Sequence, residues 1–203
     1  MKKKIIALSL FAASTAVFAQ NTGWYVGGSA GQSKTKFKND DFAWNIAGVS
    51  ETKDTTDTAW KLFGGYNFNQ YFAVEVGYAD LGTPKYKYSG AGVAGQMKVE
   101  QNSAFAAAKA TLPVGSQFNL FGKLGATSNH SKSTWTSNIG NGSDSDNHIK
   151  AMFGVGAEFL PIKNVGIRVE YENYGRFGRE VNNNRVGGRT DVDMWSVGAV
   201  YKF

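Results

Sequence analysis

Apolar and polar residues alternate over many short stretches of this chain, most clearly at its end. From Trp195 to Phe203 the odd positions hold Trp, Val, Ala, Tyr and Phe, and the even positions hold Ser, Gly, Val and Lys. Successive side chains of a strand point to opposite faces, so this segment predicts a strand with one apolar face. The same alternation predicts strands at 24–34, 58–68, 72–81, 99–112, 118–128, 148–160, 165–174 and 190–203.

The connections between these strands alternate in length. Short ones fall at 69–71, 113–117 and 161–164, and long ones, rich in Gly, Asn, Ser, Lys and Asp, at about 35–57, 82–98, 129–147 and 175–189. Short periplasmic turns with long extracellular loops are typical of outer-membrane barrels. A strand of about 11 residues, tilted near 40°, also spans the apolar band of roughly 25 Å. The pattern predicts an all-β fold, an eight-stranded antiparallel up-and-down transmembrane β-barrel.

The first residues predict export. Three lysines at 2–4 precede an apolar run that ends near Ala19, which is typical of a secretory signal peptide at 1–19. The barrel domain would then occupy 20–203. The chain has no cysteine, which excludes disulfides and thiol nucleophiles, and its net charge of +6 includes the three lysines of the leader.

Alternation also assigns side chains to the two faces of the predicted barrel wall. The fourth strand is the exception, since its lipid face is almost all alanine and Phe105 points inward, which leaves a bulge or register shift open there. The outward positions are Trp60, Leu62, Tyr66, Phe68, Phe72, Val74, Val76, Tyr78, Phe118, Leu120, Leu124, Ile149, Phe153, Val155, Phe159, Val165, Ile167, Val169 and Tyr171; the inward charges are Lys61, Glu75, Lys109, Lys123, Glu158, Arg168, Glu170 and Lys202.

Several runs in this order resemble the OmpA-type transmembrane domain family. They are 63–71 (FGGYNFNQY) leading into 74–78 (VEVGY), Trp24-Tyr25, Ala108-Lys109, 168–171 (RVEY) and 201–203 (YKF). The resemblance covers essentially all of 20–203. Two departures stand out. The sequence ends at the predicted last barrel strand, so we expect it to lack the periplasmic peptidoglycan-binding domain of long members, and Lys123 occupies a lumen position usually held by arginine.

The inward charges form the main candidate site. An eight-stranded barrel has an interior that side chains just fill, so these charges are expected to pair. The resemblance implies a gate in which Glu75 and Arg168 block the lumen and Lys109 and Glu158 offer exchange partners. The alternative is a static ion-paired plug. The candidate residues are Glu75, Lys109, Lys123, Glu158, Arg168 and Glu170.

Two further sets of residues are candidates for contacts outside the lumen. Tyr201 and Phe203 resemble the family's terminal signal for the outer-membrane assembly machinery. The long second and fourth loops are basic, which favours phosphate groups of lipopolysaccharide, while anionic host molecules and a merely solvated surface remain alternatives. The basic residues are Lys85, Lys87, Lys98, Arg176, Arg179, Arg185 and Arg189.

The remaining motifs argue against catalysis. In the third loop, residues 144–148 (DSDNH) with His130 fit no full metal-binding loop, and no nucleophile or nucleotide fingerprint occurs. We therefore expect a monomeric, non-enzymatic outer-membrane protein, without cofactor, metal or nucleic acid, that serves envelope integrity and surface contact. The alternatives are a small gated pore and a loop-mediated adhesin or serum-resistance protein.

Overall fold

The computed structural model describes residues 22–36, 50–90, 93–138, 140–177 and 190–203, and all regular structure in these ranges is β-strand. Within them, no helix is long and apolar enough to cross a membrane. The predicted leader at 1–19 lies outside the described residues. The strands are β1 Gly23–Lys36, β2 Ser50–Asp54, β3 Thr56–Asn67, β4 Phe72–Asp80, β5 Lys85–Gly90, β6 Val93–Pro113, β7 Phe118–Ser137, β8 Gly140–Ile162, β9 Val165–Phe177 and β10 Thr190–Lys202.

Eight of these strands close into an antiparallel barrel. The order around the wall is β6-β4-β3-β1-β10-β9-β8-β7, and the ladder between β6 and β7 closes the ring. The first and last strands pair with each other from Tyr25 opposite Lys202 to Lys36 opposite Asp191. Closure leaves no strand edge with unpaired backbone N–H and C=O groups at membrane depth, which a barrel in lipid requires. The predicted eight-stranded barrel is confirmed.

The wall is much taller on one side than the sequence pattern predicted. The segments 82–98 and 129–147 were expected to be loops, but they form β5 with the outer part of β6, and the outer parts of β7 and β8. β5 pairs with β6, β2 pairs with β5, and the β7–β8 ladder continues to Ser137 opposite Gly140. β8 has 23 residues, whereas crossing the membrane takes about 9–11. The expectation of loops there is wrong. The backbones of these segments remain paired, but neither face of the strands is apolar, so the sequence shows no apolar alternation there.

The two faces of the wall follow the predicted alternation. On β4, Glu75 is fully buried while its neighbours Val74 and Val76 are 43% and 58% exposed. On β6, Phe105 points inward and the alanines at 104, 106, 108 and 110 face outward. Both ladders of β6 run without a register shift through this region, so the fourth barrel strand has no bulge.

Candidate functional site

The lumen holds a continuous network of ion pairs. Side chains from six strands of the barrel meet in it, because the inward parity of each strand directs its charged residues to the same level. In the outer part of the network, Lys61 donates to Glu170 and, at 2.5 Å, to Glu172. Lys123 then joins Glu172 at 3.0 Å, Glu170 at 3.0 Å and Glu75 at 2.6 Å. Lys61 and Lys123 thus bridge three carboxylates.

Arg168 connects this cluster to the periplasmic side. Its guanidinium lies 2.9 Å from Glu75, 3.1 Å from Glu170 and 3.0 Å from Glu158. The second oxygen of Glu158 accepts a bond of 2.5 Å from Lys202, whose side chain is 24% exposed. Every other charge named in the network has a side chain at most 3% exposed. The network therefore runs from the middle of the lumen to a partly hydrated end near the periplasmic turns.

Aromatic rings separate the charges and support them. The Arg168 guanidinium lies 4.8 Å from the Phe63 ring centre and 4.9 Å from that of Phe121. Two of these inward rings lie against a glycine of a neighbouring strand: a Cβ on Gly65 would come within 2.4 Å of the Tyr25 ring, and one on Gly156 within 2.4 Å of the Phe121 ring. The glycines between the inward charges thus make room for these rings.

Two tyrosine hydroxyls donate further hydrogen bonds to the carboxylates of the network. Tyr25 donates to Glu75 at 3.0 Å, and Tyr174 donates to Glu172 at 3.0 Å. Glu75, Glu170 and Glu172 lie close enough together to offer three oxygens to a metal ion. Lysine ammonium groups already occupy the space between these oxygens, so the arrangement is that of an ion-paired interior.

A packed layer lies on the extracellular side of the charges. Hydroxyls and amides fill one part of it: Ser103 bonds to Thr127 and, at 2.6 Å, to Asn129, which donates to the Tyr174 carbonyl at 2.7 Å. Apolar side chains at most 3% exposed fill another part: Ala59, Ala79, Leu81, Met152, Tyr174, Phe177, Val192 and Met194. Within the described residues, the lumen is therefore filled by side chains both at the network and above it.

The structure places all six predicted lumen residues inside the barrel but does not join all of them. Glu75, Lys123, Glu158, Arg168 and Glu170 share the network, whereas Lys109 forms no ion pair among the described residues. Glu158 contacts Arg168 and Lys202 instead. The candidate set left out Lys61 and Lys202, which were predicted to face inward, and Glu172. The even numbering that Glu172 shares with Arg168 and Glu170 was a usable signal for it.

The candidate loop residues divide between described and undescribed parts of the chain. Lys85 and Lys98 are exposed and directly opposite each other on β5 and β6. The structure does not describe the side chains of Lys87 and Arg176. Arg179, Arg185 and Arg189 lie entirely outside the described residues. In the segment that was predicted to be the third loop, His148 contacts Asp146 at 2.9 Å, and His130 contacts Asn147 at 2.8 Å across the β7–β8 ladder.

Aromatic rings surround the periplasmic end of the barrel. Trp24 packs edge to face on Tyr66 at 5.1 Å, and Tyr201 on Phe203 at 5.2 Å. Phe203 is 73% exposed on the outer wall, and its backbone N–H donates to the Trp24 carbonyl at 3.0 Å. Rings at this level form the interfacial girdle of a membrane barrel.

A closed antiparallel barrel with an apolar outer wall, an aromatic girdle and an ion-paired interior defines an integral protein of the bacterial outer membrane. Comparison with known proteins gives the family. Residues 19–203 match the profile of the OmpA-like transmembrane domain, and the chain belongs to that family.

Individual relatives agree with this assignment. Outer membrane protein A of Klebsiella aerogenes is 28% identical over 218 residues, and that of Serratia marcescens is 30% identical over 212 residues. Both alignments cover 100% of this chain and 56% of the relative, so the chain spans about half the length of these proteins. OprG of Pseudomonas aeruginosa shares the fold, with a TM-score of 0.52 and 16% identity over 91% of this chain and 97% of OprG.

Proposed function

We propose that this protein is a non-catalytic wall element of the outer membrane, with a closed lumen and an extracellular surface that contacts lipopolysaccharide. The filled lumen is the observation that supports a closed, non-catalytic barrel. An eight-stranded barrel has room for little more than its own inward side chains. Here those side chains form ion pairs in one layer and a packed layer above it, which supports a role in envelope integrity over solute passage.

The lumen also bears on the alternative of a small gated pore. A pore needs a continuous water path, and in this barrel such a path would have to separate ion pairs buried to 3% exposure or less and then displace Leu81, Met152 and Met194. Breaking a buried ion pair without a substitute costs about 3–5 kcal/mol. Planar-bilayer recordings of the purified protein test the proposal, and we expect no channel steps; steady steps would favour the gated pore.

The outer face of the tall wall supports the contact with lipopolysaccharide. On β6 the even-numbered side chains face outward, so Lys98 continues the line of Ala104 above the apolar band. Lys85 lies directly opposite Lys98, and both are exposed. Like charges directly opposite each other in a sheet destabilise it, and a bound anion removes that cost. Phosphate groups of the surrounding lipid are the anions nearest to this level of the wall.

Replacing both opposed lysines should weaken binding to lipopolysaccharide. A lysine near an anionic membrane surface contributes about 1 kcal/mol, which is roughly fivefold in affinity. We expect K85S/K98S to bind purified lipopolysaccharide about 20-fold more weakly than the wild type, measured by titration of the folded protein in detergent.

The matched control is Lys163→Ser, which removes an exposed lysine from the periplasmic turn between β8 and β9. It should bind lipopolysaccharide like the wild type. Equal affinities for the double variant and the control would contradict the proposal. Loss of binding to heparin or serum proteins alone would favour the adhesin alternative.

We further propose that Phe203 and Tyr201 act in assembly, as the family resemblance implies. Phe203→Ala removes an exposed terminal ring, so membrane insertion in cells should slow, while Phe203→Trp should retain it. Insertion is measured by the appearance of the heat-modifiable folded form on gels. Spontaneous folding into lipid vesicles separates the causes: equal slowing there would assign the effect to the girdle rather than to the assembly machinery.

A further inference from the structure

One inward lysine of the described residues, Lys109, stands outside the ion pairs of the network. Each of the four carboxylates in the network has a lysine or arginine partner within ion-pair distance. Four cations, Lys61, Lys123, Arg168 and Lys202, provide these contacts. Lys109 is a fifth inward cation, and it has no carboxylate partner among the described residues. Among these described residues, the basic side chains therefore outnumber the carboxylates of the network by one.

The surroundings of Lys109 explain why it lacks a partner. Its ammonium nitrogen lies 4.5 Å from the Tyr25 ring centre and 5.7 Å from that of Phe121. The oxygens of Glu158 are taken by Arg168 and Lys202. Those of Glu75 are taken by Lys123, Arg168 and the Tyr25 hydroxyl. Contact with two aromatic faces compensates only part of the cost of a buried charge.

Lys109 lies near the periplasmic end of the lumen. It is directly opposite Ala73, the second residue of β4 just after a periplasmic turn, and β6 ends four residues later at Pro113. Two half-buried residues occupy inward positions between Lys109 and that end: Thr111 on β6 and Asn119 on the neighbouring β7. The residue itself is only 4% exposed. A small solute from the periplasm thus meets hydroxyl and amide groups before it reaches a buried, uncompensated ammonium.

We propose that Lys109 is the cationic contact of a small-anion site at the periplasmic mouth of the lumen. The anion it fits is a single oxyanion, a carboxylate or inorganic phosphate, because an ammonium buried among rings binds most strongly through a charge-assisted hydrogen bond. Thr111 and Asn119 supply additional donors on the path. The site is independent of the closed-wall function, since an anion held at this level adds to the plug and need not pass it.

Titration of the refolded, isotope-labelled protein in detergent micelles tests the site. Sodium phosphate and sodium acetate are added separately, and the backbone amides of Ala73, Lys109 and Asn119 are followed by NMR. We expect saturable shifts with at least one of the two anions. Lys109→Met should weaken the saturable binding about tenfold or more, because it removes a charged hydrogen-bond donor. The relative affinities for phosphate and acetate identify the preferred oxyanion.

Three variants make the result decisive. Lys109→Arg keeps the charge and should retain saturable binding, while Lys163→Met at the periplasmic turn should behave like the wild type. Lys109→Gln, which keeps a polar side chain without the charge, replaces Lys109→Met if the methionine variant does not fold, as judged by its gel shift on heating. Saturation that survives loss of the Lys109 charge, or shifts that only grow linearly with both salts, would overturn the proposal.

Discussion

Arg168→Met should lower the free energy of unfolding by about 3–5 kcal/mol, because it removes the partner that three buried carboxylates share. The guanidinium contacts Glu75, Glu158 and Glu170 at 2.9, 3.0 and 3.1 Å and is 1% exposed. Glu170 keeps its contacts to Lys61 and Lys123, whereas Glu75 keeps only Lys123 and Glu158 only Lys202 among the ion pairs described, so the loss falls mainly on Glu158 and Glu75. Urea unfolding in phospholipid vesicles, followed by tryptophan fluorescence, measures the change.

The same experiment has two internal controls. Lys202→Met removes a pair whose lysine is 24% exposed, so it should cost only about 1 kcal/mol or less. Lys109 shares the Tyr25 and Phe121 rings with Arg168, so we expect it to compensate part of the charge of the freed carboxylates. R168M/K109M should therefore cost more than the sum of its single variants. Arg168→Met with a loss no larger than that of Lys202→Met would show that the network contributes little to stability.

Glu75→Lys should destabilise the barrel by a similar amount and yet leave it closed to ions. The substitution places a lysine beside Lys123 and Arg168, where Glu75 now accepts bonds from both. The network is disrupted, but the packed layer above it is untouched: Leu81, Met152 and Met194 are fully buried on the extracellular side. Dewetted apolar constrictions stop ions even where charged groups have separated.

Single-channel recordings with two variants distinguish the two barriers. E75K alone should be as silent as the wild type, whereas E75K combined with Met152→Gly and Met194→Gly should show conductance steps. The heat-dependent gel shift verifies that each variant is folded. Steps from E75K alone would place the barrier in the ion pairs and support the gated pore. Non-additive effects of E75K and Lys109→Glu on conductance would then link both residues to one gate.

The parity of the strands was readable from the sequence because it depends only on the chain itself. Val74, Glu75 and Val76 alternate between lipid and lumen as predicted. The choice of ion-pair partner was not readable, since it depends on how strands from opposite walls meet. Lys109 and Glu158 have the predicted inward parity, yet Lys202, from the last strand, reaches Glu158 instead.

The height of the wall was hidden for a different physical reason. Alternation reports which face is apolar, and above the membrane neither face needs to be. The outer halves of β7 and β8 consist largely of Ser, Thr, Asn, Asp and Gly, residues that indicate a loop by composition. Their backbones nevertheless pair residue by residue. One local sign was present: Trp135 lies opposite Gly142, and a Cβ there would come within 2.3 Å of the indole.

The unbroken ladder from lipid to solvent also gives this barrel a mechanical character. A molecule bound near the tip of β7 and β8 that is pulled away from the cell applies its force along the strand axes. The inter-strand hydrogen bonds lie across that direction, so those between β6 and β7, from Gly95 to Pro113, are loaded together in shear and do not open one at a time. The tall hairpin would therefore transmit such a pull to the membrane-embedded ring without its strands separating one bond at a time.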